Sequence, residues 1–447
     1  MRYKAYKKVD IPWLDEVPEH WEISRNKNIF KHVKNIIGKK SQSTQLLSLT
    51  TMGIKAINIE DTKGKSPVSY DTYQVVSKDD LVLCLFDLDV SAVFSDVSKY
   101  NGMISPAYQV FKTDKVCINF YKYLFDKIFQ DRSYKVHSKS LRYTITPEGF
   151  LMLNMIIPPK EEQDQIAKFL DWKINDIDRL IGIREEKVRK ISKIKTSFIE
   201  NATSGKIGKK FINFKKVDIP WLDEIPEHWK IDRAKNLYKK ESRPIKETDE
   251  VITCFRDGQV TLRKNRRTEG FTESILEHGY QGVRNGDLVI HVMDAFAGAI
   301  GVSDSDGKST PVYNVCNGKI DLCNEYYAYL LRIAAKKGYI QSLYKGIRER
   351  SSDFRFDTFQ KIILPVPPKE EQEQIVKKIE EQNCKTNKLI ENIKFQIRNL
   401  KQLKQSLISD AVTGKIDVRN IKIPNFSKFE NRYLEEDEDY LEDIKEV

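Results

Sequence analysis

The sequence predicts an α+β fold: two tandem-duplicated mixed α/β domains separated by two long helices packed as an antiparallel coiled coil. Three observations predict it. The chain repeats itself, each copy carries short β-rich runs, and each copy ends in one long stripe of apolar residues at helical spacing.

The repeat comes first because it organises everything else. VDIPWLDEVPEHWEISRNKNIF at 9–30 returns as VDIPWLDEIPEHWKIDRAKNLY at 217–238, with 16 of 22 positions identical and an offset of 208. PPKEEQDQIA at 158–167 returns as PPKEEQEQIV at 367–376, and SFIENATSGKIG at 197–208 returns as SLISDAVTGKID at 406–417, both offset by 209. Between these anchors the likeness is faint. Asp80-Leu-Val-Leu echoes Asp287-Leu-Val-Ile, and Phe120-Tyr-Lys-Tyr-Leu echoes Tyr326-Tyr-Ala-Tyr-Leu. A duplicated scaffold with two diverged middles is the economical interpretation.

Each copy has one layout. The leading segment, IPWLDEVPEHW or IPWLDEIPEHW, carries Pro and Trp and reads as an irregular docking turn. Short runs such as Leu81–Phe86 and Leu288–Val292 follow, bounded by Gly, Asp and Ser, and read as strands. Pro158-Pro159 and Pro367-Pro368 then end the mixed region, because proline continues neither a central strand nor a helix interior. Acidic residues directly after the prolines suit a helix N-terminus. Apolar residues recur at Ile166, Leu170, Ile174, Ile177, Ile181, Val188, Ile191 and Phe198, and at Ile375, Ile379, Ile390, Ile393, Ile397, Leu400, Leu403 and Leu407. Charged residues flank these heptad-like stripes, and Gly205 and Gly414 stand as stops. The expected division is 1–157 and 209–366 for the domains, 158–208 and 367–417 for the helices, and 418–447 for a C-terminal tail. With antiparallel helices, the two domains are expected at opposite ends of the rod.

Composition narrows the function. With 447 residues, 40% hydrophobic and 10% aromatic, the chain has enough apolar material for several cores, which excludes a mostly disordered, collagen-like or disulfide-miniprotein class. No run of 18 apolar residues is present, and MRYKAYKKVDIPW lacks the apolar stretch of a secretory signal. The six cysteines include no CxxC pair, which fits a reduced, cytoplasmic protein with buried thiols and no zinc site. From Glu430 to Val447 nine acidic and two basic residues give −7; taking that from the overall +11 leaves +18 on the other 429 residues. A basic body of that size points to an anionic partner, most often nucleic acid. The acidic tail reads as a solvated or docking appendage.

No catalytic motif stands out. The [DN]-P-P-[YF] tetrapeptide of amino-methyltransferases, GxGxxG and HExxH are all absent. Gly301–Ser309 imitates a phosphate-binding loop but puts five residues between its glycines where four are needed, so it reads as a hairpin. No catalytic or metal-binding residues are assigned. His20 and His228 sit in the repeated PEHW and read as hydrogen-bonded turn histidines beside a docked tryptophan.

The remaining candidates are basic and polar groups in the diverged middles. In the first copy they are Lys39, Lys40, Ser41, Gln42 and Ser43, and later Lys135, His137, Lys139, Arg142 and Tyr143. In the second they are Arg256, Arg263, Lys264, Arg266, Arg267, Arg348, Arg350 and Arg355. Arg and Lys pair with guanine in the major groove and Gln with adenine, whereas other basic residues only neutralise phosphates. Candidates for contact with a protein partner are Trp13, Trp21, Trp221 and Trp229 in the leading segments and Ile177, Ile181, Val188, Ile191, Ile393, Ile397 and Leu400 on the stripes.

The doubled IPxxW leading segments, the helices opening on PPKEEQ, the S-x-I-x-x-A-x-x-G-K-I endings and the run DLVIHVMDAFAGAIGVSDSDGKSTPVY together resemble the specificity (HsdS) subunit of type I restriction-modification systems, over nearly the whole chain. The resemblance implies two target recognition domains, each reading one half of an asymmetric bipartite site on double-stranded DNA. It implies helices that set the spacing and hold two modification (HsdM) subunits, which methylate adenine. Restriction (HsdR) subunits would complete the nuclease. S-adenosylmethionine, ATP and Mg would belong to those partners, and this chain would bind no cofactor and carry no catalysis. The competing reading is a non-enzymatic DNA-binding scaffold not tied to modification. The tail from Glu430 departs from the family pattern.

Overall fold

The computed structural model describes residues 2–50, 53–58, 67–88, 95–138, 143–207, 213–266, 278–343 and 354–429. The chain forms two compact units. One combines Met1–Glu185 with Lys394–Val447, and the other is Glu186–Ile393. Each unit therefore holds one copy's domain, the start of that copy's long helix and the end of the other copy's helix.

Eight α-helices lie among the described residues: α1 (Ile118–Gln130), α2 (Pro147–Met152), α3 (Lys160–Thr203), α4 (Ala234–Leu237), α5 (Asn324–Lys336), α6 (Tyr339–Ser342), α7 (Phe356–Phe359) and α8 (Lys369–Val412). The long helices α3 and α8 each run 44 residues, about 66 Å at 1.5 Å per residue. They start directly after the paired prolines, with Glu161 and Glu162, or Glu370 and Glu371, in the first turn. They end at Gly205 and Gly414, whose φ of +78° and +75° is the left-handed conformation that closes a helix.

In the first unit the start of α3 runs antiparallel to the end of α8. Lys404 Nζ lies 2.7 and 2.9 Å from the two carboxylate oxygens of Asp178, and Arg184 Nε donates to Gln396 Oε1 at 3.0 Å, so the partner numbers fall as α3 advances. In the second unit Lys195 Nζ donates to Asn387 Oδ1 at 2.8 Å. The stripe residues Ile174, Ile177, Ile181, Val188, Ile379 and Ile393 are buried. Leu403 departs from the predicted stripe and is 54% exposed. At that level Lys404 is the residue turned toward α3, through Asp178, and the neighbouring Leu403 is turned out.

The two domains share a frame. Each opens with a bulged antiparallel hairpin, Tyr6–Ile11 with Leu14–Pro18 and Phe214–Ile219 with Leu222–Pro226. The leading segment is thus a β-hairpin rather than the irregular turn its Pro and Trp suggest. Each domain is then closed by a strand pair that joins its beginning to its end: Glu22–Arg25 with Asn154–Ile157, and Lys230–Arg233 with Ile363–Val366. Each also has a four-stranded sheet of the same order. In the first it is Lys31–Val33, Gln109–Lys112, Leu81–Leu83, Ser95–Val97; in the second, Tyr238–Lys240, Tyr313–Gly318, Leu288–His291, Ile300–Val302.

Aromatic side chains fill the cores beside these sheets. Phe30 meets Tyr121 edge-on at 5.3 Å and Phe111 lies 4.8 Å from Phe150; in the second unit Tyr238 meets Tyr327 at 5.6 Å. Each such buried ring contributes roughly 1.5–3 kcal/mol from apolar burial.

Divergence is confined to the rest of each domain. The first has a second four-stranded sheet, ordered Gly53–Ile57, Leu46–Thr50, Gly102–Ile104, Gln74–Val76. The second has two separate ribbons, Ile252–Cys254 with Val260–Leu262 and Gln281–Val283 with Gly307–Ser309. The run Gly301–Ser309 is therefore not a hairpin. Ile300–Val302 pairs with Leu288–His291, while Gly307–Ser309 belongs to another ribbon. Gly307 permits this because a Cβ there would lie 2.5 Å from the Glu250 carbonyl oxygen. Of the six cysteines, expected to be buried, Cys84, Cys254, Cys316 and Cys323 are, Cys117 is half-buried and Cys384 is exposed.

Candidate nucleic-acid interface

The same clasp fixes each domain to its helix. The first is centred on Glu162 in the opening turn of α3. Its Oε1 accepts Trp21 Nε1–H at 3.0 Å, its Oε2 lies 2.8 Å from His20 Nε2, and Tyr3 also donates its hydroxyl to it. In the second unit Glu371 Oε2 accepts Trp229 Nε1–H at 2.9 Å, and His228 Nε2 lies 3.0 Å from Glu371 Oε1. The next residue adds a second tie. Gln163 Oε1 accepts the Cys117 amide at 2.8 Å and its Nε2 donates to the Pro158 carbonyl at 2.7 Å; Gln372 repeats both, to Cys323 at 2.9 Å and Pro367 at 2.8 Å. Burial and Glu162 push the Tyr3 phenol well above its usual pKa, so it stays a donor.

The far helix end seals each clasp. A Cβ on Gly414 would lie 2.5 Å from Pro18 Cδ and 3.0 Å from Trp21 Cη2; one on Gly205 would lie 2.5 Å from Pro226 Cγ and 2.9 Å from Trp229 Cζ2. Only glycine lets the end of α8 reach the first clasp and the end of α3 reach the second. The His20 and His228 reading, as turn histidines beside a docked tryptophan, matches this geometry.

Trp21 and Trp229 are thus enclosed within the chain, and Trp221 is buried too. Trp13 is half-buried with Lys127 Nζ 5.3 Å from its ring centre. Ile177, Ile181, Val188 and Ile393 are buried, whereas Ile191, Ile397 and Leu400 are half-buried. These seven stripe residues are spent, wholly or in part, on packing within the chain. The long-helix side chains exposed for contact are others, among them Leu180, Ile183, Ile194, Leu389, Phe395 and Leu403.

The predicted DNA-contacting residues sort by exposure. Lys39, Lys40, Gln42 and Ser43 are exposed on a short 3-10 turn, Gly38–Ser43. Ser41 on the same turn is buried and donates to Asp71 Oδ1 at 2.6 Å, so it anchors the turn instead of offering its hydroxyl. Lys135 lies over the Tyr143 ring with Nζ 4.4 Å from its centre, and burial pushes the His137 pKa down. Tyr143 has a φ of +44°, unusual for a bulky residue. In the second domain Arg266 stacks on Phe255, 4.2 Å from the ring centre, and donates to Asp257 at 2.6 Å. Arg256 donates to Asp294 at 3.2 Å and Lys264 pairs with Glu250 at 2.5 Å. Arg263 is half-buried and Arg355 exposed. Lys139, Arg142, Arg267, Arg348 and Arg350 lie outside the described residues.

One buried charge in the first domain has a testable consequence. Asp126 on α1 has its carboxyl pKa raised to about 6, by burial above all and against the pull of Lys122. A carboxyl whose pKa is higher folded than unfolded makes the folded state bind the extra proton, so stability rises as pH falls from about 6 toward the unfolded value of roughly 4. Asp126→Asn is therefore expected to raise the melting temperature at pH 7 and flatten that dependence. Melting scans across this range check it, and an unchanged slope contradicts it.

Comparisons with known proteins point to one family. A family model described as the type I restriction modification DNA specificity domain matches residues 285–399, from the second domain's sheet into α8. The type I restriction enzyme MjaVIII specificity subunit of Methanocaldococcus jannaschii is 23% identical over 91% of this chain and 95% of its own length. The putative MjaX specificity subunit of the same organism is 24% identical, over 93% and 97%. The chain is similar along nearly its whole length to type I restriction enzyme specificity subunits. A solved chain from a type I restriction-modification system has the same fold, with a TM-score of 0.62 at 13% identity, covering 90% of this chain and 99% of that one.

The residues that the two copies share at the clasps hold each domain on its long helix. Glu162, Gln163, Glu371 and Gln372 were not among the predicted site residues. Their signal was present in the exact repetition of PPKEEQ, which reads at first only as a helix start.

Proposed function

We propose that this chain is a type I specificity subunit that reads an asymmetric bipartite DNA target, one half with each domain, and that its long helices set the gap and dock two adenine methyltransferase subunits. The observation that carries this reading is the contrast inside the duplication. The clasps repeat their Glu–Trp, Glu–His and Gln–backbone ties, whereas the second sheet of the first domain is replaced by two ribbons in the second. Selection that keeps a mount and changes what is mounted is expected when two mounts read different sequences. Linking two weak readouts on one frame also gives avidity only to half-sites at the right separation.

The chemistry belongs to partners in this reading. Methylating adenine requires the base to leave the stack, at a cost of a few kcal/mol, and phosphate anchoring by a basic chain helps hold the distorted duplex. S-adenosylmethionine, ATP and Mg serve the methyltransferase and restriction subunits, and this chain binds none of them.

Methylome sequencing of a host expressing the chain with its methyltransferase tests the proposal, since it reads both half-sites and the gap together. Exchanging residues 20–150 for the corresponding segment of another specificity subunit is expected to change one half-site completely and leave the other and the gap alone. A swap that alters both half-sites, or neither, contradicts modular reading.

A further inference from the structure

The second unit contains a cleft of about 390 Å³ between the last turns of α3, helix α5 and the turn Ala295–Ala297. Its charged lining is entirely basic: Lys195, Arg256, Arg332 and Lys336. Arg332, on α5, is the centre. Its guanidinium is largely sunk in the protein, burial pushes its pKa down, and among the described residues it has no hydrogen-bond or ion-pair partner. It lies flat on Gly258, where a Cβ would stand 2.5 Å from Arg332 Nη1. Gly258, with a φ of +87°, thus makes a cradle for the guanidinium that any other residue would fill.

The neighbouring cations are no better compensated. Among the described residues, Lys195 Nζ donates only to Asn387 Oδ1 at 2.8 Å, and Lys336 Nζ only to Thr196 Oγ1 at 2.9 Å. Burial, then the Arg332 charge, pushes the Lys195 pKa down. The nearby carboxylates are taken, Asp257 by Arg266 and Asp294 by Arg256. A largely buried guanidinium with no ion pair of its own, set beside two ammonium groups bonded to neutral oxygens and with Asp257 as the nearby carboxylate acting on it, is costly, and a protein retains such a group where an anion completes it.

The duplication supplies a control. Aligning α1 with α5 puts Asp126 at the position of Arg332 and Gln130 at that of Lys336. Aligning α3 with α8 puts Lys404 at the position of Lys195 and Asp178 at that of Asn387. In the first unit Lys404 is neutralised by Asp178 at 2.7 Å. In the second unit an Arg and an Asn stand where these two carboxylates would be, and a further lysine is added. The same place in the fold is internally balanced in one copy and left cationic in the other.

We infer that this cleft is a phosphate-binding site, occupied in the DNA complex by a backbone phosphate beside the half-site read by the second domain. The assignment to DNA rests on the DNA-reading function proposed above. A guanidinium suits phosphate by presenting parallel donors, and the flanking ammonium groups add point charge. The site neutralises a phosphate that every sequence has, so it strengthens binding without choosing bases.

The test uses the full chain, a duplex carrying its target and a scrambled duplex, with affinities measured between about 50 and 200 mM salt. Arg332→Gln is expected to weaken both duplexes alike and to lower the slope of log affinity against log salt by about one, the contribution of one phosphate contact. Lys336→Gln, on the exposed rim, gives a smaller change of the same sign without disturbing the interior. Arg332→Gln should melt no lower than the unaltered chain, since it removes an uncompensated charge. A slope unchanged in both variants overturns the proposal, whereas an unaltered chain that binds no DNA overturns the DNA-reading function itself. Inorganic phosphate without DNA separates the sources. If it raises the melting temperature of the unaltered chain but not of Arg332→Gln, and the salt slopes agree, the cleft holds a free anion and the assignment to DNA fails.

Discussion

Glu162→Ala is expected to destabilise the first unit by about 3–5 kcal/mol, the range for stripping one partner from a buried charged network. The carboxylate is 4% exposed and engages three donors, Tyr3, His20 and Trp21. Alanine leaves the Trp21 indole N–H and the Tyr3 hydroxyl buried without an acceptor, at about 1–3 kcal/mol each. For a unit of this size the loss lowers the melting temperature by roughly 10 °C. Glu162→Gln keeps one acceptor for Trp21 and should fall between. Glu371→Ala should cost less, because that carboxylate is 24% exposed and its burial penalty and gain are both smaller. Calorimetry on the intact chain reads these shifts, and a Glu162→Ala change under about 2 °C would show that the clasp does not hold the domain. A double cycle with Trp21→Phe isolates the pair, since the phenyl ring keeps apolar contacts and removes only the donor. Target reading follows stability here: the first half-site should lose its methylation at a temperature where the second keeps its own.

The clasp also marks where sequence reading succeeds and where it stops. The long helices were legible, their starts to within two residues and their ends to within five, because proline, acidic first turns and terminal glycines each have a local physical meaning. The duplication was legible because identity in register needs no structure to be seen. The role of Glu162 was not, since a glutamate after two prolines is explained well enough by the helix dipole, and its tie to Trp21, 141 positions away, is a tertiary fact. Ser41 fails the opposite way. A serine among lysines and glutamine looks like a polar reader, and only the position of Asp71 turns it inward. Leu403 fits a heptad by spacing, yet Lys404 takes the inward place because Asp178 faces it. Arg332 is hidden most deeply, because its meaning lies in what the aligned position holds in the other copy, and that alignment is secure only after α1 and α5 are seen as the same element.

Lengthening both long helices by one heptad, after residue 185 in α3 and after residue 393 in α8, is expected to widen the methylated target's gap by about three base pairs and leave both half-sites unchanged. These positions divide the two compact units, so neither core is cut. Seven residues add about 10.5 Å of helix, and B-DNA rises about 3.4 Å per base pair. A heptad also returns the apolar stripe to nearly the same face, with a drift of about 20°, whereas four residues would rotate it by roughly 40° and expose Ile or Leu on one side. The insertion must be matched. Asp178 with Lys404 and Arg184 with Gln396 fix the register of α3 on α8 in the first unit, so lengthening one helix alone forces either a slip of these pairs or a bulge, and should lower stability instead of changing the gap. Methylome sequencing of the matched variant distinguishes the possibilities. A wider gap with the same half-sites means that helix length measures the DNA. An unchanged gap means that the measuring is done by the partner subunits, and altered half-sites mean that reading and spacing are not separable in this chain.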